Sequence, residues 1–310
     1  MYDVIIIGGG PAGVSAGIYA ARKKMKTAII SDTLTGQSVV SEDIQNWIGT
    51  PSISGFDLAQ QLEAHLRAQS GIDIMDGERV TKIEKKGEYH YVVTIASGKV
   101  FESKTLLITT GSRHRKLEVP GEKEAEGHGV VYCAICDAPL FKDKDVVVVG
   151  GGNSGLEATI DLIKYAKKIY LLHRNDALKG DQTTQDKIMK HPNVEVILNA
   201  DTKKVLHDDK KQVHGLVYVD KKTNTEKTLM VQGVFVEIGV IPNSEIVKDI
   251  IKVTPMNSIM VDPRTQRTSD AGIWAAGDVT DALYRQNNIS SGDAIKAILN
   301  IYEELHVKGK

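Results

Sequence analysis

The sequence predicts an α/β fold made of two Rossmann-like domains, the second of which is inserted into the first. Two glycine-rich turns carry this prediction: GGGPAG at residues 8–13 and GGGNSG at residues 150–155. Each turn follows a short β-branched run and precedes a helical pattern and a second strand-like run. This order is typical of a βαβ unit around a buried parallel sheet. A length of 310 residues also suits two domains better than one.

The first βαβ unit opens the chain. We predict a strand at residues 4–7, a helix at about 12–23 and a second strand at 27–30. Short strand-like runs then alternate with turn signals from residue 72 to residue 108, and the last of them leads to Gly111. The chain is predicted to leave the first domain near this glycine.

The second βαβ unit begins at about residue 145. We predict a strand at residues 146–149 and a helix at 153–165. Further strands are predicted at 169–172, 194–198, 213–219 and 234–238. The chain then returns to the first domain and ends in a helix predicted at 291–306. We therefore expect a first domain of residues 1–112 and 243–310, with residues 113–242 inserted as the second domain.

Composition excludes several classes of protein. The sequence is 41% hydrophobic and 25% charged, with a formal net charge of -1, so its charge does not attract it to nucleic acid or anionic membranes. No apolar run approaches the ~18 residues of a membrane span, and the first apolar run is too short for a signal peptide. We therefore expect a cytoplasmic protein.

Both glycine turns have the properties of dinucleotide-binding loops. The first glycine permits a tight turn, the second lets the backbone approach a pyrophosphate, and the third allows close packing of helix and strand. The N-terminus of the following helix offers N–H groups and a positive dipole end. Glycine-rich turns in an unrelated α/β protein are the alternative. Asp32 lies 24 residues after Gly8, where a carboxylate would bind a ribose hydroxyl or serve as a turn residue.

The two loops differ at the position that selects the nucleotide. After the strand at 169–172 the chain continues His173-Arg174, without a carboxylate at the strand end. An arginine here suits a 2′-phosphate and favours NADPH over NADH. A surface arginine without a ligand is the alternative.

The two cysteines stand three residues apart, as Cys133 and Cys136, and Asp137 follows directly. Such a pair can close a short disulfide, and a carboxyl beside it can move protons during thiolate exchange. Half of a zinc site is one alternative, but no second cysteine pair exists and His128 is the only nearby histidine. Two structural thiols are the other alternative. We expect no metal site.

Together these motifs resemble those of the low-molecular-weight thioredoxin reductases and of the related flavoprotein subunit of alkyl hydroperoxide reductase. The similarity covers essentially the whole chain. Besides the cysteine pair, it is carried by GGGPAG at 8–13, TGQ at 35–37, DIQNW at 43–47, TTG at 109–111, AAGD at 275–278 and YRQ at 284–286.

The resemblance implies an FAD site in the N- and C-terminal parts of the chain and an NAD(P) site in the inserted part. FAD contacts are expected at Gly8, Gly10, Pro11, Ala12, Gly13, Asp32, Gly36, Gln37, Asn46, Val80, Thr110, Gly111, Gly277, Asp278, Arg285 and Gln286. NAD(P) contacts are expected at Gly150, Gly152, Asn153, Ser154, Gly155, His173, Arg174 and Lys179.

The resemblance also implies unequal roles for the catalytic residues. Cys136 would face the flavin and take its electrons, whereas Cys133 would attack the disulfide of the partner protein. Asp137 would act as the acid and base.

Several positions depart from the reductase pattern. Ala138 and Pro139 follow the acidic residue, where thioredoxin reductases of this type usually have glycine. Asn175 and Lys179 occupy positions that usually carry arginine in the 2′-phosphate segment, although Lys179 can still donate as a point charge. Other stretches are closer to the hydroperoxide reductase flavoprotein, which uses NADH: 139–141, 152–155 and 179–187.

We therefore expect an FAD-dependent disulfide reductase that passes electrons from NAD(P)H through the flavin and the dithiol to a thioredoxin- or glutaredoxin-like protein. NADPH is the expected donor and NADH the alternative. The family also implies a homodimer, and no nucleic-acid or membrane partner is expected. Other hypotheses are a flavin-dependent dithiol oxidase, a reductase of a peroxiredoxin system, a non-nicotinamide donor such as ferredoxin, and a non-catalytic redox sensor.

Overall fold

The computed structural model describes residues 1–41 and 43–307. The chain forms two compact units. Unit 1 contains Met1–Val39, Trp47–Arg113 and Ile241–Lys310, and unit 2 contains Val40–Asn46 and His114–Val240. The chain therefore leaves unit 1 and later returns to it. Within the described ranges, no helix has both the length and the hydropathy needed to cross a membrane.

The strands cover both units. In chain order they are β1 (Tyr2–Ile7), β2 (Thr27–Ser31), β3 (Ile72–Asp76), β4 (Val80–Gly87), β5 (His90–Ile95), β6 (Val100–Ile108), β7 (Ser112–His114), β8 (Val130–Val131), β9 (Asp145–Val149), β10 (Lys168–His173), β11 (Val194–Leu198), β12 (Ala200–His207), β13 (Val213–Asp220), β14 (Thr225–Leu229), β15 (Gly233–Val236), β16 (Val240–Pro242) and β17 (Ile273–Ala275).

The helices follow the same order. The α-helices are α1 (Pro11–Arg22), α2 (Gly55–Arg67), α3 (Ala134–Asp137), α4 (Asn153–Leu162), α5 (Gln182–Met189) and α6 (Asn287–His306). Short 3-10 helices occupy Gln37–Val40 and Ala138–Phe141.

The main sheet of unit 1 has the strand order β3-β2-β1-β6-β5-β4, and β17 also pairs with β6. β1 lies parallel to β2 and β6, whereas β4, β5 and β6 are antiparallel. Alternate residues of β1 enter two cores. Val4 and Ile6 pack with α1 and α6, and Ile5 and Ile7 pack on the other face. Burial on both faces is expected for a parallel strand and explains its β-branched run.

Unit 2 is built on the parallel sheet β11-β10-β9-β15-β8. The valine run of β9 is also covered on both faces. Val146 and Val148 pack with Leu156 and Leu162 of α4. Val147 and Val149 pack in a second core with residues of the antiparallel sheet β12-β13-β14. The second glycine loop begins directly after the carboxyl end of β9.

Several elements differ from the sequence prediction. Between β11 and β15 we predicted one strand, but the structure also contains β12 and β14. Both strands are mostly polar, and β14 is also mostly exposed, so their hydrophobic pattern is weak. The last helix begins at Asn287, four residues before the predicted start.

Candidate functional site

The first glycine loop connects β1 to α1 and leaves no room for side chains at two positions. Gly8 has φ +116°, and a Cβ atom there would lie 2.4 Å from the carbonyl oxygen of Thr109. A Cβ atom on Gly13 would lie 1.8 Å from the carbonyl oxygen of Gly8. No side chain caps the N-terminus of α1 after its N-cap residue Gly10. The helix end is therefore open to an anion such as a pyrophosphate.

This loop opens into a cleft of about 660 Å³ within unit 1. Most of the predicted FAD positions line the cleft: Gly8, Gly10, Pro11, Ala12, Asp32, Gly36, Gln37, Val80, Thr110, Gly111, Gly277 and Asp278. Gly13 packs against the carbonyl oxygen of Gly8 and does not line the cleft. Arg285 and Gln286 do not line it either. Asn46 belongs to unit 2 and does not line this cleft. Several polar lining residues were not predicted from the sequence, among them Ser38, Glu78, Arg79 and Asn243.

Asp278 is one of the carboxyl groups that line the cleft. It accepts hydrogen bonds from Nε2 of Gln37 at 2.9 Å and from Oγ of Ser290 at 3.3 Å. Burial raises the pKa of Asp278, while the charge of Arg285 opposes this rise. Nε of Arg285 is buried without a hydrogen-bond partner in the part of the chain that the structure describes. A hydrogen-bonding ligand in the cleft can contact the carboxyl of Asp278, whereas Arg285 does not line the cleft.

Asp32, expected to bind a ribose hydroxyl or to serve as a turn residue, has an ionic partner in the structure. Its Oδ2 forms an exposed ion pair with the guanidinium of Arg79, which also lines the cleft. The pairing partner lies 47 positions away along the chain, so no local pattern indicates it. A ribose hydroxyl at Asp32 would therefore meet a carboxylate that already has a cationic neighbour.

The second glycine loop repeats the geometry of the first. Gly150 has φ +137°, and a Cβ atom on Gly155 would again lie 1.8 Å from the carbonyl oxygen of the first glycine. The N-cap Gly152 of α4 has no side-chain cap, and a Cβ atom there would meet open space. Ser154 is exposed in the first turn of α4. Asn153 accepts a hydrogen bond from the N–H of Asp181 at 2.8 Å through Oδ1.

His173 stands at the carboxyl end of β10, beside the second loop. Its Nδ1 accepts a hydrogen bond from the N–H of Gly151 at 3.1 Å, so the ring proton is on Nε2. Burial lowers the pKa of His173, and the charges of Lys179 and Arg174 lower it further. Nε2 is buried and has no partner among the described residues. The imidazole is therefore neutral at physiological pH.

An open cleft of about 530 Å³ follows β10 in unit 2. It is lined by Asn175, Asp176, Ala177, Leu178, Lys179, Asn199 and Lys221. Lys221 was not predicted. It follows β13, and its Nζ donates to the carbonyl oxygen of Arg174 at 3.1 Å. This contact brings a third cation to the region of Arg174 and Lys179.

The cysteine pair lies at the start of α3 in unit 2. Cys133 and Cys136 form a disulfide, with their Cα atoms 5.3 Å apart. Cys133 is the N-cap of α3, and its Sγ accepts a hydrogen bond from the N–H of Cys136 at 3.3 Å. Asp137 is buried, whereas Ile135 between the cysteines is 61% exposed. The helix N-terminus can stabilise a thiolate on Cys133, and the exposed apolar side chain can contact a partner.

Among the residues the structure describes, no group of three or more His, Cys, Asp and Glu side chains is arranged to hold a metal ion. The Cys133–Cys136 pair supports exchange between a disulfide and a dithiol.

Comparison with known proteins identifies a family and several relatives. The family described as pyridine nucleotide-disulphide oxidoreductase matches residues 2–297. An NADH dehydrogenase of Bacillus subtilis is 41% identical over 304 residues, which are 98% of this chain and 58% of the relative. The F subunit of the alkyl hydroperoxide reductase of Pseudomonas aeruginosa is 42% identical over 307 residues, again 98% of this chain and 58% of the relative. The chain thus spans less than two thirds of the length of these curated relatives.

Among solved structures, the thioredoxin reductase of Streptococcus pyogenes matches over 98% of both chains. The TM-score is 0.91 and the sequence identity is 35%.

Proposed function

The chain belongs to the pyridine nucleotide-disulphide oxidoreductase family, and on this basis we propose that it reduces the disulfide of a thioredoxin-like protein with electrons from NADPH. The observation that carries the proposal is the disulfide at the N-terminus of α3, in the unit that also holds the second glycine loop. FAD, when bound, supplies the exchange of an electron pair between a nicotinamide and a disulfide.

Unit 1 offers the groups that would hold FAD. The uncapped N-terminus of α1 and the glycines at its start suit the pyrophosphate. The carboxyl of Asp278, which lines the cleft and is partly exposed, suits hydroxyl groups. These features favour a dinucleotide with a polar connecting chain in this cleft.

The two cysteines carry the reaction with the partner. In the reduced protein, the thiolate of Cys133 attacks one sulfur of the partner's disulfide and breaks that S–S bond. The second partner sulfur leaves and takes up a proton. The thiolate of Cys136 then attacks Sγ of Cys133, which re-forms the disulfide and releases the partner as a dithiol. Asp137, next to Cys136 and buried, moves the protons.

The charges in unit 2 support NADPH as the donor. Arg174, Lys179 and Lys221 lie at or beside the cleft after β10, and Asp176 is the one carboxylate among its lining residues. A dianionic 2′-phosphate fits this set of donors better than the neutral ribose hydroxyl of NADH.

Lys221→Ala tests this nucleotide preference. We expect the KM for NADPH to rise roughly three- to tenfold, because an exposed charge-assisted contact to phosphate contributes about 1 kcal/mol. The KM for NADH should stay unchanged. Lys222→Ala is the matched control, since this exposed lysine adjoins Lys221 but does not line the cleft. Equal changes for both nucleotides, or the same change in Lys222→Ala, would contradict the assignment. Steady-state kinetics with each nucleotide provide the measurement.

The function itself is tested by anaerobic titration of the flavin-loaded protein with NADPH and, separately, NADH. Bleaching of the flavin absorbance by NADPH, followed by recovery on addition of an oxidised thioredoxin, is the expected result. Failure of both nucleotides would point to another donor, such as a ferredoxin. Bleaching of the flavin by a small dithiol, followed by recovery with oxygen but not with oxidised thioredoxin, would identify a dithiol oxidase.

Reduction of a peroxiredoxin is the second candidate function. It is favoured by the higher sequence identity to the alkyl hydroperoxide reductase relative than to the solved thioredoxin reductase. Parallel assays with an oxidised peroxiredoxin and an oxidised thioredoxin distinguish the two, because only the physiological acceptor should be reduced at a high kcat/KM.

A further inference from the structure

The connection between β10 and α5, residues 174–181, borders the open cleft of unit 2. We call it the cation segment, because it carries Arg174 and Lys179. Lys179 lines the cleft, and the carbonyl oxygen of Arg174 accepts the hydrogen bond from Nζ of Lys221. The structure describes every residue of the segment, and none of them lies in a helix or a strand. The position of the segment is therefore set by its contacts with neighbouring elements.

Two backbone N–H groups fasten the cation segment to the second glycine loop. The N–H of Lys179 donates to the carbonyl oxygen of Gly151 at 2.7 Å. The N–H of Asp181 donates to Oδ1 of Asn153 at 2.8 Å, and Asn153 is the first residue of α4. The backbone that carries Lys179 is thus held by a loop that has the form of a pyrophosphate site.

Close packing supports these two hydrogen bonds. A Cβ atom on Gly180 would lie 2.3 Å from Cδ1 of Leu156 and 2.8 Å from Oδ1 of Asn153. A Cβ atom on Gly151 would lie 2.7 Å from Cδ2 of Leu178. Glycine is thus needed on both sides of the contact, because the space between the segment and the loop does not admit a methyl group.

Asp181 connects this contact to the next helix. It is the N-cap of α5, and its Oδ2 accepts hydrogen bonds from the N–H of Thr184 at 2.8 Å and from Oγ1 of Thr184 at 2.9 Å. Nε2 of Gln185 donates to the carbonyl oxygen of Gly180 at 2.7 Å. The end of the cation segment is therefore held between the starts of α4 and α5, and the amide of Asn153 contacts it from the α4 side.

We propose that Asn153 is a positioning residue for nucleotide selectivity: it holds the cation segment against the glycine loop, so that the cations are in place for a 2′-phosphate when the loop binds the pyrophosphate of the same nucleotide. This proposal rests on the proposed binding of NADPH in unit 2. The resemblance predicted Asn153 as a nucleotide contact, but its Oδ1 is engaged with Asp181. Its role is selectivity for the 2′-phosphate rather than general affinity for nucleotides.

The selectivity follows from the group in which the two nucleotides differ. NADPH and NADH share every group except the 2′-phosphate. If the cation segment is loose, a 2′-phosphate must order it on binding, and the loss of conformational entropy weakens the affinity. A nucleotide without this phosphate does not use the cations. Loosening the segment therefore weakens the binding of NADPH and spares that of NADH, whereas the loss of a direct contact would weaken both.

Asn153→Ala removes the acceptor and tests this selectivity. The flavin-loaded, oxidised protein is titrated with NADP+ and, separately, with NAD+ in a calorimeter, so that binding is measured without turnover. The Kd for NADP+ should rise roughly three- to tenfold, as expected for the loss of one hydrogen bond. The Kd for NAD+ should change less than about twofold. Gln182→Ala is the matched control, because the amide of this exposed residue donates to Asp186 of α5, and both Kd values should stay unchanged.

Gly180→Ala disturbs the same contact from the other side and leaves the side chain of Asn153 intact. The added methyl group would push the cation segment away from Leu156 and Asn153. The same selective loss of NADP+ affinity is therefore expected from this variant, measured by the same titrations.

Hydrogen exchange tests the contact itself and needs no nucleotide. Mass spectrometry of peptic fragments that cover residues 178–184 should show faster exchange in Asn153→Ala than in the wild type. Asn153→Asp keeps an acceptor for the N–H of Asp181 and should keep most of the protection.

Three results would overturn the proposal: equal losses of NADP+ and NAD+ affinity in either variant, an unchanged Kd for NADP+ in Asn153→Ala, or unchanged hydrogen exchange in that variant. A wild-type protein that binds NAD+ as tightly as NADP+ would instead refute NADPH as the proposed donor. In that case the exchange measurement still decides whether Asn153 holds the cation segment.

Discussion

Replacing Cys133 by serine is expected to slow the reduction of thioredoxin at least about a thousandfold. A serine hydroxyl does not ionise near neutral pH and cannot form a mixed disulfide, so the attack on the partner's S–S bond is lost. Bleaching of the bound flavin by NADPH should continue, because that step does not require this sulfur. The measurement is NADPH consumption with oxidised thioredoxin, compared with anaerobic flavin absorbance.

Cys136→Ser is the matched control for this prediction. Cys133 can still attack in this variant, but no second thiol resolves the mixed disulfide. A covalent complex with thioredoxin should therefore accumulate and be visible on a non-reducing gel. If Cys133→Ser retained more than about a tenth of the activity, another group would have to make the attack.

Glu237→Gln is expected to stabilise the protein at about pH 8 but not at about pH 4.5. Burial raises the pKa of Glu237, which directly follows β15, from 4.5 to about 8 on folding. Below pH 4.5 the carboxyl is protonated in both the folded and the unfolded chain, so its contribution to stability is fully present. As the pH rises towards 8, the unfolded chain releases this proton while the folded chain keeps it, and stability is lost. Glutamine avoids this loss, which is on the order of 4 kcal/mol.

Urea unfolding of the oxidised protein at both pH values provides the measurement. The stabilisation at about pH 8 minus the stabilisation at about pH 4.5 reports the ionisation of Glu237. Any packing change in the variant would alter the free energy of unfolding equally at both pH values. Glu226→Gln, which removes an exposed carboxylate from β14, is the control, and its effect on the free energy of unfolding should be the same at both pH values. A stabilisation of the same size at about pH 4.5 and about pH 8 would contradict the prediction.

The parts of the fold that depend on local chemistry could be predicted from the sequence. The glycine loops are defined by near neighbours, because Gly13 and Gly155 pack against glycines five positions earlier. The strands, turns and helices around them follow the predicted order, and the α/β class is confirmed. The relationship to thioredoxin reductases and to the hydroperoxide reductase flavoprotein, predicted from the motifs, is also confirmed.

The parts that depend on distant packing could not be predicted. β12 and β14 carry few buried apolar residues, so their pairing with β13 leaves little trace in the hydrophobic pattern. Lys221 reaches Arg174 across 47 positions of sequence. Glu237 acquires its environment from residues of α3 and α4 far earlier in the chain. Such neighbours are brought together only by tertiary structure. The assignment of individual residues to FAD and NAD(P) stays a prediction.

The division of unit 1 into separate stretches of chain has a consequence for synthesis on the ribosome. β17 must pair with β6, and α6 must pack with α1, yet both arrive only after all of unit 2 has been made. Apart from residues 40–46, unit 2 is continuous and can complete its own sheet while the C-terminal part is still being translated. Until then the early strands of unit 1 lack part of their core. The pairing of β6 with β17 also closes a long loop, which is slow. Nascent chains are therefore most exposed to aggregation in the interval before α6 emerges.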